Sequence, residues 1–324
     1  MQQPITDAFE VYLDRSDLRP NSVRAKRQAL RFFVKWFGDL PIGHVSCAIA
    51  EDFRAMLAKG RTQASANTYL DVFAPFWRWL FRHGRIQQNP FEGLARYKTD
   101  RKPPQQFELM DLERMVRGFE VLWRVRLALG MLGCRRGEML NLHLKEIHMD
   151  TRDPHIQIEP KQDGPTSWQW KTKTRNVRYV ALPEIIPVGQ AVLQVHRDIV
   201  ELMEQLPARQ PYICLESRYF EHMLKSVQDK TVTLNHYNDP TGNFQRLFYT
   251  RQTWAGVQEP KRFHELRAGF LTWMNDRYGL KRAADAAGIV SLQTAARYDR
   301  TKIMSIVSDI NQKMTEKSYM SYVP

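Results

Sequence analysis

Read in chain order, Arg135, Glu138, Lys173, His264, Arg267 and Tyr298 form a set suited to attack by a tyrosine on a phosphodiester. Such a reaction needs a nucleophile in line with the leaving oxygen. It needs donors on the two non-bridging oxygens as charge builds, and an acid for the oxygen that departs. Arginines hold phosphate through forked donors, and a lysine or histidine can carry a proton. The set asks for no metal.

Taken one at a time, each signal also has a plain structural reading. Arg135 lies in the turn Gly133–Glu138, GCRRGE, between two helical stretches. Glu138 falls at the next helix start, where a carboxylate is favoured, and can buttress the arginine; an exposed Arg-Arg pair fits equally well. His264 and Arg267 stand at i and i+3 of one helix face in HELR, with Leu266 turned to the core. A surface His-Arg pair has the same spacing. Lys173 alternates with threonines in WKTKTRNVRYVAL, which suggests a hairpin with a lysine at its tip, or a charged hairpin facing water. Tyr298 comes ten residues after the helix-ending Gly288, in TAARYDR. Tyr319 and Tyr322 compete with it.

The elements that must carry these groups are mostly helices. A helix opens at Pro20-Asn21-Ser22, with Val23, Leu30, Phe33, Val34 and Phe37 on one face. Its other face carries Arg24, Lys26, Arg27, Arg31 and Lys35. Ile49–Lys59 is a second amphipathic helix. Another follows Ser65, with Phe73, Phe76, Trp77, Trp79 and Phe81 at helical spacing, read as core. Residues 1–97 form one helical domain, 98–106 a basic Pro-rich linker with Arg101 and Lys102, and 107–324 a second domain. In the second domain, short strands are expected at Ile147–Asp150, His155–Glu159, Trp168–Lys171 and Val177–Leu182. Helices are expected at Leu109–Phe119, Trp123–Leu132, Pro187–Gln205, Ser217–Val227, Thr241–Thr250, Phe263–Arg277 and Leu280–Ala287.

The formal net charge is +13, which favours a polyanionic partner, nucleic acid first. At 43% hydrophobic the chain can bury a core and is not of disordered composition. Cys47, Cys134 and Cys214 lie far apart, with neither disulfide nor zinc spacing. That pattern fits a reducing cytoplasm. The N-terminal residues lack the pattern of a signal peptide, and no stretch approaches the ~18 apolar residues of a membrane span.

In combination the boxes resemble the tyrosine recombinases, or phage integrase family. GCRRGEML resembles the first-arginine box, KTRNVRYVAL the hairpin-lysine segment, HELRAGFLTWM the second box, and AAGIVSLQTAARYDR the tyrosine box. Residues 5–97 resemble the family's helical core-binding domain. The resemblance implies a mainly α protein of the simple two-domain Xer- or Cre-like type. Its helical core-binding domain and an α-rich catalytic domain with a small inserted β-sheet would form a C-shaped clamp on double-stranded DNA. It further implies that Tyr298 forms a 3′-phosphotyrosyl bond, Arg135 and Arg267 hold the non-bridging oxygens, and Lys173 protonates the 5′ oxygen. His264 would assist, Glu138 would support, and a homotetramer would act on two DNA sites without ATP or metal. Lys26, Arg27, Arg31, Arg101 and Lys102 are the expected DNA contacts outside the centre.

The sequence departs from the family at Ile289, where a His or Trp usually follows the glycine; isoleucine has no donor. On that basis Ile289→His is expected to speed cleavage. Ala268 stands where a basic residue is frequent, and Ala181 where proline is. Two alternatives follow: a DNA-binding protein of the same fold with weakened catalysis, and a type IB topoisomerase-like relaxing enzyme.

Overall fold

The computed structural model describes residues 2–16, 18, 20–99, 105–172, 177–232 and 236–289. The chain divides into two compact units, Met1–Lys102 and Pro103–Pro324.

Among its described residues the first unit has four α-helices, α1 (Ile5–Asp14), α2 (Pro20–Phe37), α3 (Cys47–Ala58) and α4 (Gln63–Arg82). Side-chain oxygens set two of the starts. Ser46 accepts from the Ile49 N–H at 3.3 Å and Thr62 from the Ser65 N–H at 3.2 Å, each satisfying a donor the helix leaves open. Thr62 thus begins α4 earlier than Ser65, the expected start. Phe9, Phe33, Phe53, Phe73, Phe76 and Trp77 are fully buried where the helices meet. Phe91 stacks on Trp77 with ring centroids 5.4 Å apart. Of the aromatics read as core on α4, Phe81 is instead exposed.

Lys26 departs from the basic face assigned to α2. It is buried, donates from Nζ to the Val72 carbonyl at 3.0 Å, and lies 5.2 Å from the centroid of Tyr12. Its four-carbon stem lets the ammonium reach a carbonyl of α4 across the helix interface. Arg27 pairs with Glu10 at 2.6 Å, and Arg31 is exposed.

The second unit is built on α6 (Val121–Met131), buried from Val125 to Gly130. A helix buried on most sides belongs at the centre of a domain, and its buried Arg126 is met by the Cys214 carbonyl. Around it stand α5 (Leu109–Gly118), α7 (Arg136–Leu140), α8 (Val195–Gln205), α9 (Ser217–Gln228), α10 (Phe244–Trp254) and α11 (His264–Ala286). A three-stranded antiparallel sheet runs β1 (Ile147–His148), β2 (His155–Ile158), β3 (Arg178–Ala181). Ile156 faces Val180 and Ile158 faces Arg178 across β2 and β3.

Two expectations are corrected here. The helix assigned to Pro187–Gln205 begins only at Val195. Before it lies a hairpin, β4 (Ile185–Val188) and β5 (Ala191–Gln194), turning at Gly189 and Gln190. Strand-forming Ile185, Ile186, Val188 and Val192 outweigh the helix-start signal of Pro187. The strand assigned to Trp168–Lys171 is reduced to one isolated bridge, Lys161 to Trp170. Trp168 instead stacks on Tyr212 at 4.0 Å and donates to Asn141 at 2.9 Å, while Lys161 is buried in an ion pair with Glu146. These side-chain ties fix the segment without a ladder.

Candidate active site

Four segments of the second unit converge: the turn after α6, the start of α7, the inward face of β3, and the end of α11. Gly133 ends α6 with φ +85°, a conformation that favours glycine. A Cβ there would lie 2.5 Å from the Phe270 ring, so the turn closes directly on α11. Its carbonyl then points at two guanidinium groups.

Arg135 caps α7. Its backbone N–H donates to Glu138 Oε2 at 2.8 Å, its Nη1 donates to Glu138 Oε1, and its Nη2 donates to the Gly288 carbonyl at 2.8 Å. Glu138 is almost wholly buried. Burial alone would raise its carboxyl pKa, but the charges of Arg178 and Arg135 together with hydrogen bonds from Arg135 hold it below the ordinary value. The carboxylate therefore stays ionised and fixes the arginines.

Arg267 is buried one turn into α11. It donates from Nη1 to the Gly133 carbonyl and from Nη2 to the Ala287 carbonyl at 2.5 Å. Burial, then the charges of Arg135 and Arg178, lower its pKa from the usual arginine value. Its charged form would gain from an arriving anion. His264, the first residue of α11, is exposed.

Helix α11 is broken at Gly279, whose φ of +80° and ψ of 162° are not helical. The two helices expected on either side are thus a single run with a break. The second arm ends at Gly288, φ +60°, where a Cβ would come within 2.7 Å of Arg178 Cδ. Only a residue without a Cβ lets this turn lie against both Arg178 and Arg135.

The sequence reading did not single out Arg178. Its Nη1 donates to the Ala287 carbonyl at 2.7 Å and lies 3.4 Å from Glu138 Oε2; its Nη2 donates to the Gly133 carbonyl at 3.2 Å. The signal was present in the alternation of β3. Arg178 and Val180 share the buried face, Tyr179 and Ala181 the exposed one. A charge on the buried face of a strand requires a partner.

Cys134 adjoins the cluster but is no rival nucleophile. Burial pushes its thiol up to about 12 despite the nearby arginines, so it stays protonated.

Ile289, which follows Gly288, is half-buried. Its side chain packs with Leu271, Ala283 and Ala287, beside Phe270 and Met274, and its N–H bonds to the Ala284 carbonyl at 2.8 Å. That packing makes a loss of stability the expected outcome for Ile289→His. Removing that apolar contact costs on the order of 1–2 kcal/mol. The variant is expected to melt a few degrees lower, with no gain in reaction rate. A faster variant of unchanged melting temperature would put position 289 at the reacting group instead.

The structure thus brings Arg135, Glu138 and Arg267 together, with Ile289 at the edge. Lys173, Tyr298, Tyr319, Tyr322, Arg101 and Lys102 lie outside the described residues. Among the described residues no helix is long and apolar enough to cross a membrane.

No family model matches the sequence, and no curated protein does. Solved structures do match. A Tn1549 transposon integrase in complex with transposon right end DNA is 14% identical, with TM-score 0.68, covering 92% of this chain and 95% of that one. A lambda integrase dimer bound to a COC′ core site is 15% identical, with TM-score 0.62, covering 91% of this chain and 77% of that one. A lambda integrase tetramer bound to a Holliday junction is 14% identical, with TM-score 0.64, covering 92% and 77%. Over nearly its whole length, the chain has the fold of these integrases, the tyrosine-recombinase fold.

Proposed function

We propose that this protein is a site-specific DNA recombinase that cleaves and rejoins DNA through a 3′-phosphotyrosine at Tyr298. The observation that carries the reading is the charge of the buried cluster. Arg135 and Arg178 pair with a single carboxylate, Glu138, and Arg267 lies beside them on the Gly133 and Ala287 carbonyls, so two positive charges remain unbalanced (three minus one) among the described groups. Excess buried charge is costly unless an anion completes it. A phosphodiester does so, and forked guanidinium donors match its non-bridging oxygens.

In this reading the Tyr298 oxygen, its proton passed to His264 or water, attacks phosphorus and the bond to the 5′ oxygen breaks. That oxygen takes a proton from Lys173. Arg135 and Arg267 stabilise the charge on the non-bridging oxygens, and His264 assists in phosphate contact or proton transfer. Rejoining is the reverse, with the 5′ hydroxyl attacking the phosphotyrosine. The bond energy stays in the protein–DNA link, so no nucleotide is consumed. The net charge of +13 supports a DNA partner. Arg27 and Arg31 of α2, with Arg101 and Lys102, are the proposed backbone contacts away from the centre. The neighbouring integrase structures are DNA complexes and include a lambda integrase tetramer on a Holliday junction. By analogy we propose four protomers on two sites, each protomer gripping duplex DNA with both units.

The test begins with a duplex selected by the protein from a random pool. A nick just 3′ of the scissile phosphate lets the released end diffuse away and traps the intermediate. A protein–DNA adduct that survives denaturing electrophoresis is expected. Tight binding without an adduct would favour a second reading, a DNA-binding protein with the catalytic step impaired. The apolar packing of Ile289, at a position where the family usually has a donor, is what supports that alternative.

A further inference from the structure

Arg178 and Arg267 donate to the same two acceptors, the carbonyls of Gly133 and Ala287. They approach from different elements, β3 and α11. Arg178 also lies against Glu138, whose other cation is Arg135. Arg178 is thus in contact with the turn before α7, the turn after α11, and the carboxylate between them. Its own Nε is buried without a hydrogen-bond partner. So costly an arrangement for a long cationic side chain calls for a role that its charge and fork fulfil.

The double donation suggests that role. A guanidinium has five N–H donors in a fixed fork. In the present arrangement Arg267 directs its two terminal nitrogens at carbonyls. Those bonds use two of its five N–H groups, and turning the fork outward to a phosphate would weaken the hold of Arg267 on the buried carbonyls of Gly133 and Ala287. Arg178 keeps both carbonyls satisfied when that happens. It also keeps Glu138 ionised and Arg135 aimed.

We propose that Arg178 is a positioning residue for phosphodiester cleavage: it secures Gly133, Ala287 and Glu138 so that Arg267 and Arg135 can give their donors to the scissile phosphate. The proposal rests on the functional reading above. It acts through the non-bridging oxygens, and that makes it testable by chemistry.

Arg178→Gln and Arg178→Lys are prepared in the full chain, and circular dichroism melting establishes that each folds. Single-turnover adduct formation is measured on two nicked duplexes. One carries the natural scissile phosphodiester. The other carries a methylphosphonate there, in which a methyl group replaces one charged oxygen. Misplacing a reacting group by about 1 Å can cost on the order of 10²-fold, so a loss of that order is expected for Arg178→Gln on natural DNA. On the neutral methylphosphonate, which needs less positive charge, the loss should shrink to under about tenfold, by the coupling logic of a double-mutant cycle. Arg178→Lys should recover only part of the rate, because one ammonium cannot span three acceptors. If the loss is the same on both duplexes, or if Arg178→Gln reacts at the wild-type rate, Arg178 is only structural and the proposal falls. The wild-type reaction tests the functional reading separately. Should wild type form no adduct, equilibrium binding of the two intact duplexes decides. A wild-type preference for the charged duplex that Arg178→Gln loses supports positioning, and an unchanged preference overturns it.

Discussion

Tyr298→Phe is expected to abolish the covalent protein–DNA adduct while leaving DNA affinity within about twofold of wild type. The substitution removes one oxygen, the proposed nucleophile, and keeps the ring. Losing a nucleophile costs up to ~10⁶-fold in a well-studied hydrolase, so a drop of at least ~10³-fold in adduct formation is a conservative expectation. The measurement is a denaturing gel beside a binding titration with the selected duplex at fixed salt, since such affinities depend steeply on salt. Tyr319→Phe and Tyr322→Phe serve as comparisons. Loss of the adduct in either of these, with Tyr298→Phe still active, would move the nucleophile to the end of the chain.

The arginine cluster was legible in part because its members sit at sharp turns. Gly133 and Gly137 flank Arg135 closely enough to mark a turn, and the Glu138 spacing matches a helix start. HELR fixes the spacing of Arg267 on its helix. Sequence could not say that Arg267 would be sealed inside while His264 remained exposed, because a helix face becomes interior only through what packs on it. Gly133 against Phe270 and Gly130 against Phe263 and Leu266 bring α6 and α11 together there. Arg178 went unread for another reason. The basic run of its segment suggested an exposed hairpin, and that impression outweighed the strand alternation that turns Arg178 inward.

Lys26 and Ile289 illustrate the same limit from opposite sides. Helical periodicity puts Lys26 on a face with Arg27 and Arg31, but periodicity counts Cα positions and not where a flexible ammonium ends. Two helices crossing at Val72 decide that. Ile289 lacks a donor in sequence, whereas its environment is set by Leu271 and Ala283 on the two arms of α11 and by Ala287, which only the break at Gly279 and the turn at Gly288 bring together. The hairpin of β4 and β5 was missed because Pro187 reads locally as a helix start, while its partner strand, with Gln194 facing Ile185, lies beyond the turn.

Arg267→Lys and Arg135→Lys should separate the two arginines proposed to hold the phosphate. Both variants keep a positive charge and lose the fork. Both should slow adduct formation on the order of 10²–10³-fold, the usual cost of a lost donor to a developing oxyanion. Their stabilities should differ. Arg267 is buried and donates to two backbone carbonyls, so a lysine cannot serve both geometries. Leaving a buried acceptor unsatisfied costs about 1–3 kcal/mol, or a few to about ten degrees of melting temperature in a domain of this size. Arg178 still shares those carbonyls, which puts the expected loss at the lower end of that range. Arg135 is partly exposed, and a lysine there can still pair with Glu138, so its melting temperature should change little. Equal loss of rate with unequal loss of stability would assign Arg267 both a structural and a phosphate-binding role, and Arg135 the second alone. If Arg267→Lys melts lower yet forms adduct at the wild-type rate, Arg267 belongs to the scaffold, and the phosphate must be held by Arg135 with groups beyond this cluster.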